Sequence, residues 1–171
     1  MDVKFIDLAI DDFDPVLRYG YRVHMKDQEY ITKAQQKIAW ADQLCFFFPV
    51  WWGAEPSVLK GLLDRAFTPG FAYERRSRWN IKGLLNGKKA SLYLTSDAPA
   101  FYHRRFGGVV SRWKHEVLGV TGIRLSKTMI MGGSHWIEDK DDRLRFMERC
   151  SEEIQAMAVR DSNYSLFHGK K

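Results

Sequence analysis

Cysteine is scarce in this 171-residue chain, with only Cys45 and Cys150 present. They lie far apart and neither belongs to a Cys-x-x-Cys pair, which argues against a zinc ribbon or a redox dithiol. Cys45 lies inside an apolar run and reads as a buried free thiol, a usage that suits a reducing, cytoplasmic setting. The glycine-rich signatures of nucleotide sites, Gly-x-Gly-x-x-Gly and the Walker loop, are also missing. Ser96 lacks the Gly-x-Ser-x-Gly context of a hydrolase elbow. His115 and His135 have no partners at ligand spacing, so no metal site is expected. No stretch reaches the roughly 18 apolar residues that cross a bilayer, so no membrane insertion is expected. Charges interrupt the first residues, Met1-Asp-Val-Lys-Phe-Ile-Asp7, too early for a signal peptide.

The composition, 45% hydrophobic and 28% charged, belongs to a globular chain long enough to bury a core without staples. One domain over residues 1–160 and a tail over 161–171 are expected. The net charge is +6, but the cations are scattered, which speaks against a nucleic-acid partner. The densest clusters are Arg75-Arg76-Ser77-Arg78 and Arg104-Arg105, with Lys170-Lys171 at the tail. Solvated loop charge is the plain reading of these clusters. The functional reading of the first two is attraction of an anionic cofactor such as NADPH.

Periodicity predicts regular alternation of strand and helix. Residues 3–8 read as a strand, and the acidic stretch Asp7 to Asp14 as a loop. Asp27 reads as the cap of a helix to about Ala41, with Tyr30, Ile31, Ala34, Ile38 and Ala41 at helical spacing. Leu44-Cys-Phe-Phe-Phe-Pro-Val50 is a continuous apolar run, as in a strand buried on both faces. A helix follows from about Glu55 to Phe67, with Pro56 in its first turn and Lys60 and Asp64 spaced to pair. Residues 68–87 read as a long connection. Ala90 to Thr95 is a strand, 96–99 a loop, about 105–118 a helix, and Leu125 to Met131 a strand. The last helix, about Asp139 to Val159, places Leu144, Met147, Cys150, Ile154 and Met157 on one face, before a frayed tail. Such alternation predicts an α/β domain with a parallel sheet, and ligands in such sheets bind at the carboxyl ends of the strands.

That rule selects loops 49–53 and 95–99. In the first, Trp51 and Trp52 either stack on a flat ligand or pack against a neighbouring loop and helix. Pro49 lacks an N–H and shapes the backbone around them. In the second, the Thr95 and Ser96 hydroxyls and nearby backbone N–H groups either cradle an anion or ring edge, or close a simple turn. Tyr73, Tyr102 and His103 are the candidates for proton donation to a reduced substrate, although each is also an ordinary boundary residue type.

Taken together, Phe48-Pro-Val-Trp-Trp-Gly-Ala-Glu-Pro-Ser-Val-Leu-Lys-Gly-Leu-Leu-Asp-Arg-Ala-Phe-Thr-Pro-Gly-Phe-Ala-Tyr73 resembles, without a gap, the flavodoxin-like NAD(P)H dehydrogenase (quinone) family. Leu85-Asn-Gly-Lys-Lys89 and Leu94-Thr-Ser96 resemble the family's fourth strand and flavin loop. The resemblance implies a flavodoxin-like three-layer sandwich, a bound FMN or FAD, NAD(P)H as co-substrate, and two-electron transfer to a quinone or similar electrophile by a ping-pong course. It also implies a homodimer. By position, Pro49, Val50, Trp51 and Trp52 match the loop along the isoalloxazine. Thr95, Ser96, Asp97 and Ala98 match the loop at its pyrimidine edge. The family pattern there is often Thr-Thr-Gly-Gly, so Asp97 and Ala98 depart from it, and a carboxylate at that edge would lower the flavin's potential. Phe71 and Tyr73 match the substrate pocket, while Tyr102 and His103 lie near the family's catalytic tyrosine. Val3 to Leu8 followed by Phe13-Asp-Pro-Val16 resembles the second strand and its loop. On that alignment the first strand and its phosphate loop are missing. This departure keeps a second reading open, a non-catalytic relative acting as a regulatory or binding module.

Overall fold

The two apolar runs expected to be strands become neighbours in one sheet. The computed structural model of the protein describes residues 2–23, 25, 28–78, 80–106, 108–134 and 140–168, with residues 160–168 by backbone only. Strands β1 (Gln43–Pro49), β4 (Lys89–Ser96) and β5 (Arg124–Gly132) form a parallel sheet in the order β1-β4-β5. The register runs from Gln43 opposite Lys89 to Pro49 opposite Thr95, and from Lys89 opposite Arg124 to Ser96 opposite Gly132. Residues Ala90 to Leu94 of β4 are at most 3% exposed, which marks it as the central strand.

Helices cover both faces. On one, α1 (Gln28–Trp40) buries Ile31, Ala34 and Ile38, and α2 (Ser57–Ala66) buries Leu59, Leu62, Leu63 and Ala66. Short helices α3 (Ala100–Arg105) and α4 (Gly108–Arg112) follow β4, and α4 runs into a π-helix, Trp113–Gly119. Trp113 is fully buried against Phe46 and Phe48 of β1. On the other face, α5 (Lys140–His168) packs Phe146, Cys150, Ile154 and Met157 on Tyr93 and Met129. Full burial of each large apolar side chain contributes about 1.5–3 kcal/mol.

Several expectations are corrected. Residues 3–7 belong to no ladder and Leu8 opens a turn, so the expected strand does not form among the described residues. Val3 and Phe5 are exposed, and the segment is held instead by Lys37 Nζ donating to the Phe5 carbonyl at 2.6 Å and by Ile6 and Leu8 packing on the core. Strand β1 is not buried on both faces, since it lies at the sheet edge with Phe47 59% exposed. Val50 N donates to Thr95 O, and Lys89 N to Asp42 O. By strand alternation the even-numbered residues of β1 therefore face β4, and the backbone groups of Cys45 and Phe47 face outward. The connection 68–87 contains a short antiparallel hairpin, β2 (Tyr73–Arg75) and β3 (Ile81–Gly83), whose strands are too short to show alternation. The helix expected from 105 starts at Ala100, with Pro99 as its N-cap, and ends at Arg105 with Phe106 as its C-cap. In α5, Leu144 and Met147 are exposed, and Phe146 takes the inward row with Cys150 four residues on. That helix continues to His168 because no proline or glycine interrupts it before Gly169. The proposed Asp27 cap and His135 lie outside the described residues.

The residues ahead of α1 dock on α2. Phe13 stacks on Tyr30 at 4.7 Å, and the buried Arg65 donates to the Asp14 carbonyl at 2.5 Å. Lys60 and Asp64 pair as expected at 2.6 Å, an exposed contact worth about 0.3–0.5 kcal/mol. Gly61 lies against Pro15 so closely that an added Cβ would overlap both its backbone and its ring. Gly61→Ala is therefore expected to destabilise the protein by about 1–3 kcal/mol through overpacking, despite alanine's better helix propensity. Urea unfolding measures this, and a loss below about 0.5 kcal/mol would show that the segment around Pro15 is not seated on α2.

Candidate active site

Parallel pairing brings the carboxyl ends of β1 and β4 side by side. Pro49 lies opposite Thr95, and Val50 N donates to the Thr95 carbonyl at 2.7 Å. This bond joins the two loops selected from the sequence. Beyond it the chain reverses in a two-residue turn, in which Trp51 N donates to Ala54 O at 2.9 Å and Ala54 N to Trp51 O at 3.0 Å. Trp52 and Gly53, the central residues, have φ of 51° and 75°. Both lie in the left-handed region, as a type I′ turn requires. Glycine takes this conformation freely, whereas for tryptophan it costs about 1–2 kcal/mol. The result is a fully exposed Trp52 indole and a Trp51 ring 60% exposed. The packing reading is thereby set aside for Trp52, whose side chain is bare, while Trp51 keeps partial cover.

Loop 96–99 is fixed by its own side chains. Ser96 Oγ accepts from Ala98 N at 3.1 Å and lies 2.7 Å from His103 Nε2, with Ser96 and His103 both buried. His103 Nδ1 is buried without a partner among the described residues. A neutral ring either accepts the Ser96 hydroxyl at Nε2 and carries its hydrogen on Nδ1, or donates from Nε2 to Ser96 Oγ. Burial lowers the imidazole pKa, which favours the neutral ring. Asp97 is held from the next loop, where Ser134 Oγ donates to its carboxylate at 2.7 Å and Ser134 N donates to the Ser96 carbonyl at 2.9 Å. Gly132 allows this approach, since a Cβ there would overlap Pro99 and Ala100. On α3, Phe101 and Tyr102 are exposed, as is Phe106 at its C-cap, so Tyr102 faces solvent while its neighbour His103 points inward.

Phe71 and Tyr73 are not brought to this end of the sheet. They follow the far end of α2, whose ten residues span about 15 Å, and pack against the core. Arg75, Arg76 and Arg78 lie on and beside the β2–β3 hairpin, where Arg76 approaches Glu74 at 3.9 Å.

Sequence reasoning missed Glu55, Arg112 and Trp113. The Glu55 carboxylate is buried just behind the tryptophan turn and accepts from Trp113 Nε1 at 3.0 Å and from Arg112. Nothing in local patterning signals a contact across 57 or 58 residues of chain.

A flat heterocycle fits this end of the sheet. Two exposed indoles provide stacking surface, and the backbone N–H groups of Trp52 and Gly53, which donate to no carbonyl among the described residues, offer polar contacts to a ring edge.

Comparison with known proteins identifies the fold family. The sequence pattern of the flavodoxin-like fold family matches residues 1–156. An uncharacterized NAD(P)H oxidoreductase of Haemophilus influenzae is 28% identical over 163 residues, covering 91% of this chain and 79% of that protein. The human ribosyldihydronicotinamide dehydrogenase (quinone) is 34% identical over 97 residues, 54% of this chain. That match covers only 42% of the human protein, less than half its length. The solved structure of Smu.1420 from Streptococcus mutans superposes with a TM-score of 0.70 at 28% identity, covering 86% of this chain and 79% of that one.

The Ser96–His103 pair gives a pH signature. Because the folded pKa of His103 lies below its ordinary value of about 6.5, the unfolded chain takes up the proton first as pH falls. The contribution is complete above that value and is lost as pH drops below it. Urea unfolding at pH 7.5 and 5.5 is expected to show a smaller acid loss for His103→Gln than for wild type. Equal losses would contradict a buried neutral imidazole.

Proposed function

Because the chain belongs to the flavodoxin-like fold family, we propose that it is an NAD(P)H-dependent oxidoreductase that carries FMN or FAD and passes two electrons to a quinone or related electrophile by a ping-pong course. The observation that carries this reading is the pair of loops joined by the Val50–Thr95 bond, with Trp51 and Trp52 exposed above them. The names of the Haemophilus and human relatives support the choice of NAD(P)H and of quinone.

A bound flavin supplies the two-electron acceptance and donation that side chains lack. Pro49 and Val50 shape the ledge beside the ring, and Trp51 and Trp52 stack on it and keep water from its face. Thr95, Ser96, Asp97 and Ala98 line its polar edge, with Asp97 held there by Ser134. The Tyr102 hydroxyl, exposed next to this loop, delivers a proton to the reduced substrate. His103 acts through Ser96, keeping loop 96–99 in shape, and does not meet the substrate. In the homodimer we propose, the second copy supplies the substrate-facing side that Phe71 and Tyr73 of the same chain are too distant to form. The free thiols Cys45 and Cys150 suit a cytoplasmic setting.

Flavin titration followed by steady-state kinetics with NADH or NADPH and a small benzoquinone tests the reading. One flavin per chain and parallel double-reciprocal lines are expected, and one-to-one binding excludes a non-catalytic binding module. No flavin binding and no quinone reduction with either flavin would overturn the enzyme reading. Trp52→Ala removes a fully exposed side chain, so stability should change by less than about 0.5 kcal/mol. Its kcat/KM for quinone should fall about tenfold, equivalent to about 1.4 kcal/mol of lost stacking.

A further inference from the structure

The tryptophan turn is strained and solvent-facing, so something must hold it. Residues in the left-handed region persist where their surroundings over-determine them. On one side the turn is held by Val50 N and Thr95 O. On the other, the first residue after Ala54 is Glu55, whose side chain is 1% exposed. Its carboxylate accepts from two consecutive residues, Arg112 at the end of α4 and Trp113 at the start of the π-helix. Trp113 itself packs against both Phe46 and Phe48, the residues of β1 that lead into the same turn. Glu55, Trp113 and β1 therefore close a ring of contacts around residues 49–55.

A stability role alone explains this poorly. A buried ion pair is weak evidence of stabilisation, and an apolar pair of similar volume often does as well. A charged, hydrogen-bonded contact is directional, however, and fixes one geometry. The π-helix adds to the case. Such segments are rare and favour functional sites, and this one begins at the residue that meets Glu55. Gly119, at its far end, lies so close to the Lys114 carbonyl, five residues earlier, that a Cβ would stand 2.8 Å from it.

We propose that Glu55 is the positioning residue for this site, with Arg112 and Trp113 of the π-helical junction as its anchor. Together they hold the Trp51–Gly53 turn in the conformation that presents both indoles. The link to catalysis rests on the flavin reading above, whereas the mechanical claim stands without it.

The test is hydrogen exchange by mass spectrometry on the folded, flavin-free protein, comparing the segment around residues 50–55 with the β4 segment 89–96. In Glu55→Ala, exchange in the turn segment is expected to rise tenfold or more, with β4 unchanged. Glu55→Gln keeps an acceptor for Trp113 Nε1, so its exchange should stay within about threefold of wild type. Should Glu55→Ala fail to fold, Arg112→Met and Trp113→Phe, each removing one donor, carry the same comparison. Affinity for FMN is the second readout, with a tenfold weakening expected for Glu55→Ala and little change for Glu55→Gln. Unchanged turn exchange in a folded Glu55→Ala protein overturns the proposal. So does a rise equal in the turn and in β4, which marks general destabilisation. If wild type binds no FMN, the flavin reading falls and the exchange data alone decide whether Glu55 positions the turn.

Discussion

The structure depends on the double pairing of β4. This strand is covered on both faces and bonded along both edges, so its backbone is satisfied within the sheet. Its parallel neighbours must start and end at the same levels. That requirement places three loops, after β1, β4 and β5, along one crest, where Val50 bonds to Thr95 and Ser134 to Ser96. The crest follows from the ladder, and the chemistry proposed for it follows from the crest.

The two sides of β4 are treated differently. Toward α5 the sheet carries polar groups, with Gln43 Nε2 donating to Ser91 Oγ at 3.1 Å and Ser126 Oγ to the Ala90 carbonyl at 2.9 Å, while Gln43 Oε1 and the Tyr93 hydroxyl are buried without a partner among the described residues. Toward α2 and α4 the covering is apolar and aromatic, closed by Trp113. β1 differs from β4 in having only one paired edge. Its composition is that of an interior strand, with no charge or bulge of the kind that usually guards an exposed edge. The residues ahead of α1 pack on α1 and α2 without joining its ladder.

At the crest, rigidity and exposure are combined. Trp52 is bare and in a costly conformation, yet the residues on either side of its turn are tied down by Thr95 and by the Glu55 contacts. Ser96 and His103 do the same for the neighbouring loop from below. The groups that face outward, Trp51, Trp52, Asp97 and Tyr102, are thus carried on backbone whose geometry is set by buried partners. Such an arrangement suits a surface that must meet a flat ligand without rearranging.

Much of this was legible in the chain itself. The apolar runs 44–50 and 90–95, the helical spacing of Ile31, Ala34 and Ile38, and the alternation of elements identify a parallel α/β sheet and the two loops at its carboxyl end. These signals are local, arising from periodicities of two and 3.6 residues and from turn chemistry. The segment 48–73 likewise carries the family assignment on contiguous residues. What tertiary structure alone decided are the contacts between distant parts. Residues 3–8 have the pattern of a strand but join no sheet among the described residues, and β1 reads as interior yet lies at an edge, because pairing belongs to two segments at once. The separation of Phe71 and Tyr73 from the tryptophan turn depends on which way α2 runs. His103 faces Ser96 while Tyr102 faces solvent, although the two are adjacent in sequence. Glu55 meets Arg112 and Trp113 only because packing against the sheet overrides the distance along the chain. The sequence by itself determined the elements and their apolar faces, through forces acting within a few residues. The fold decided which polar groups meet, because a buried charge or hydroxyl must find its partner wherever the packed chain brings one.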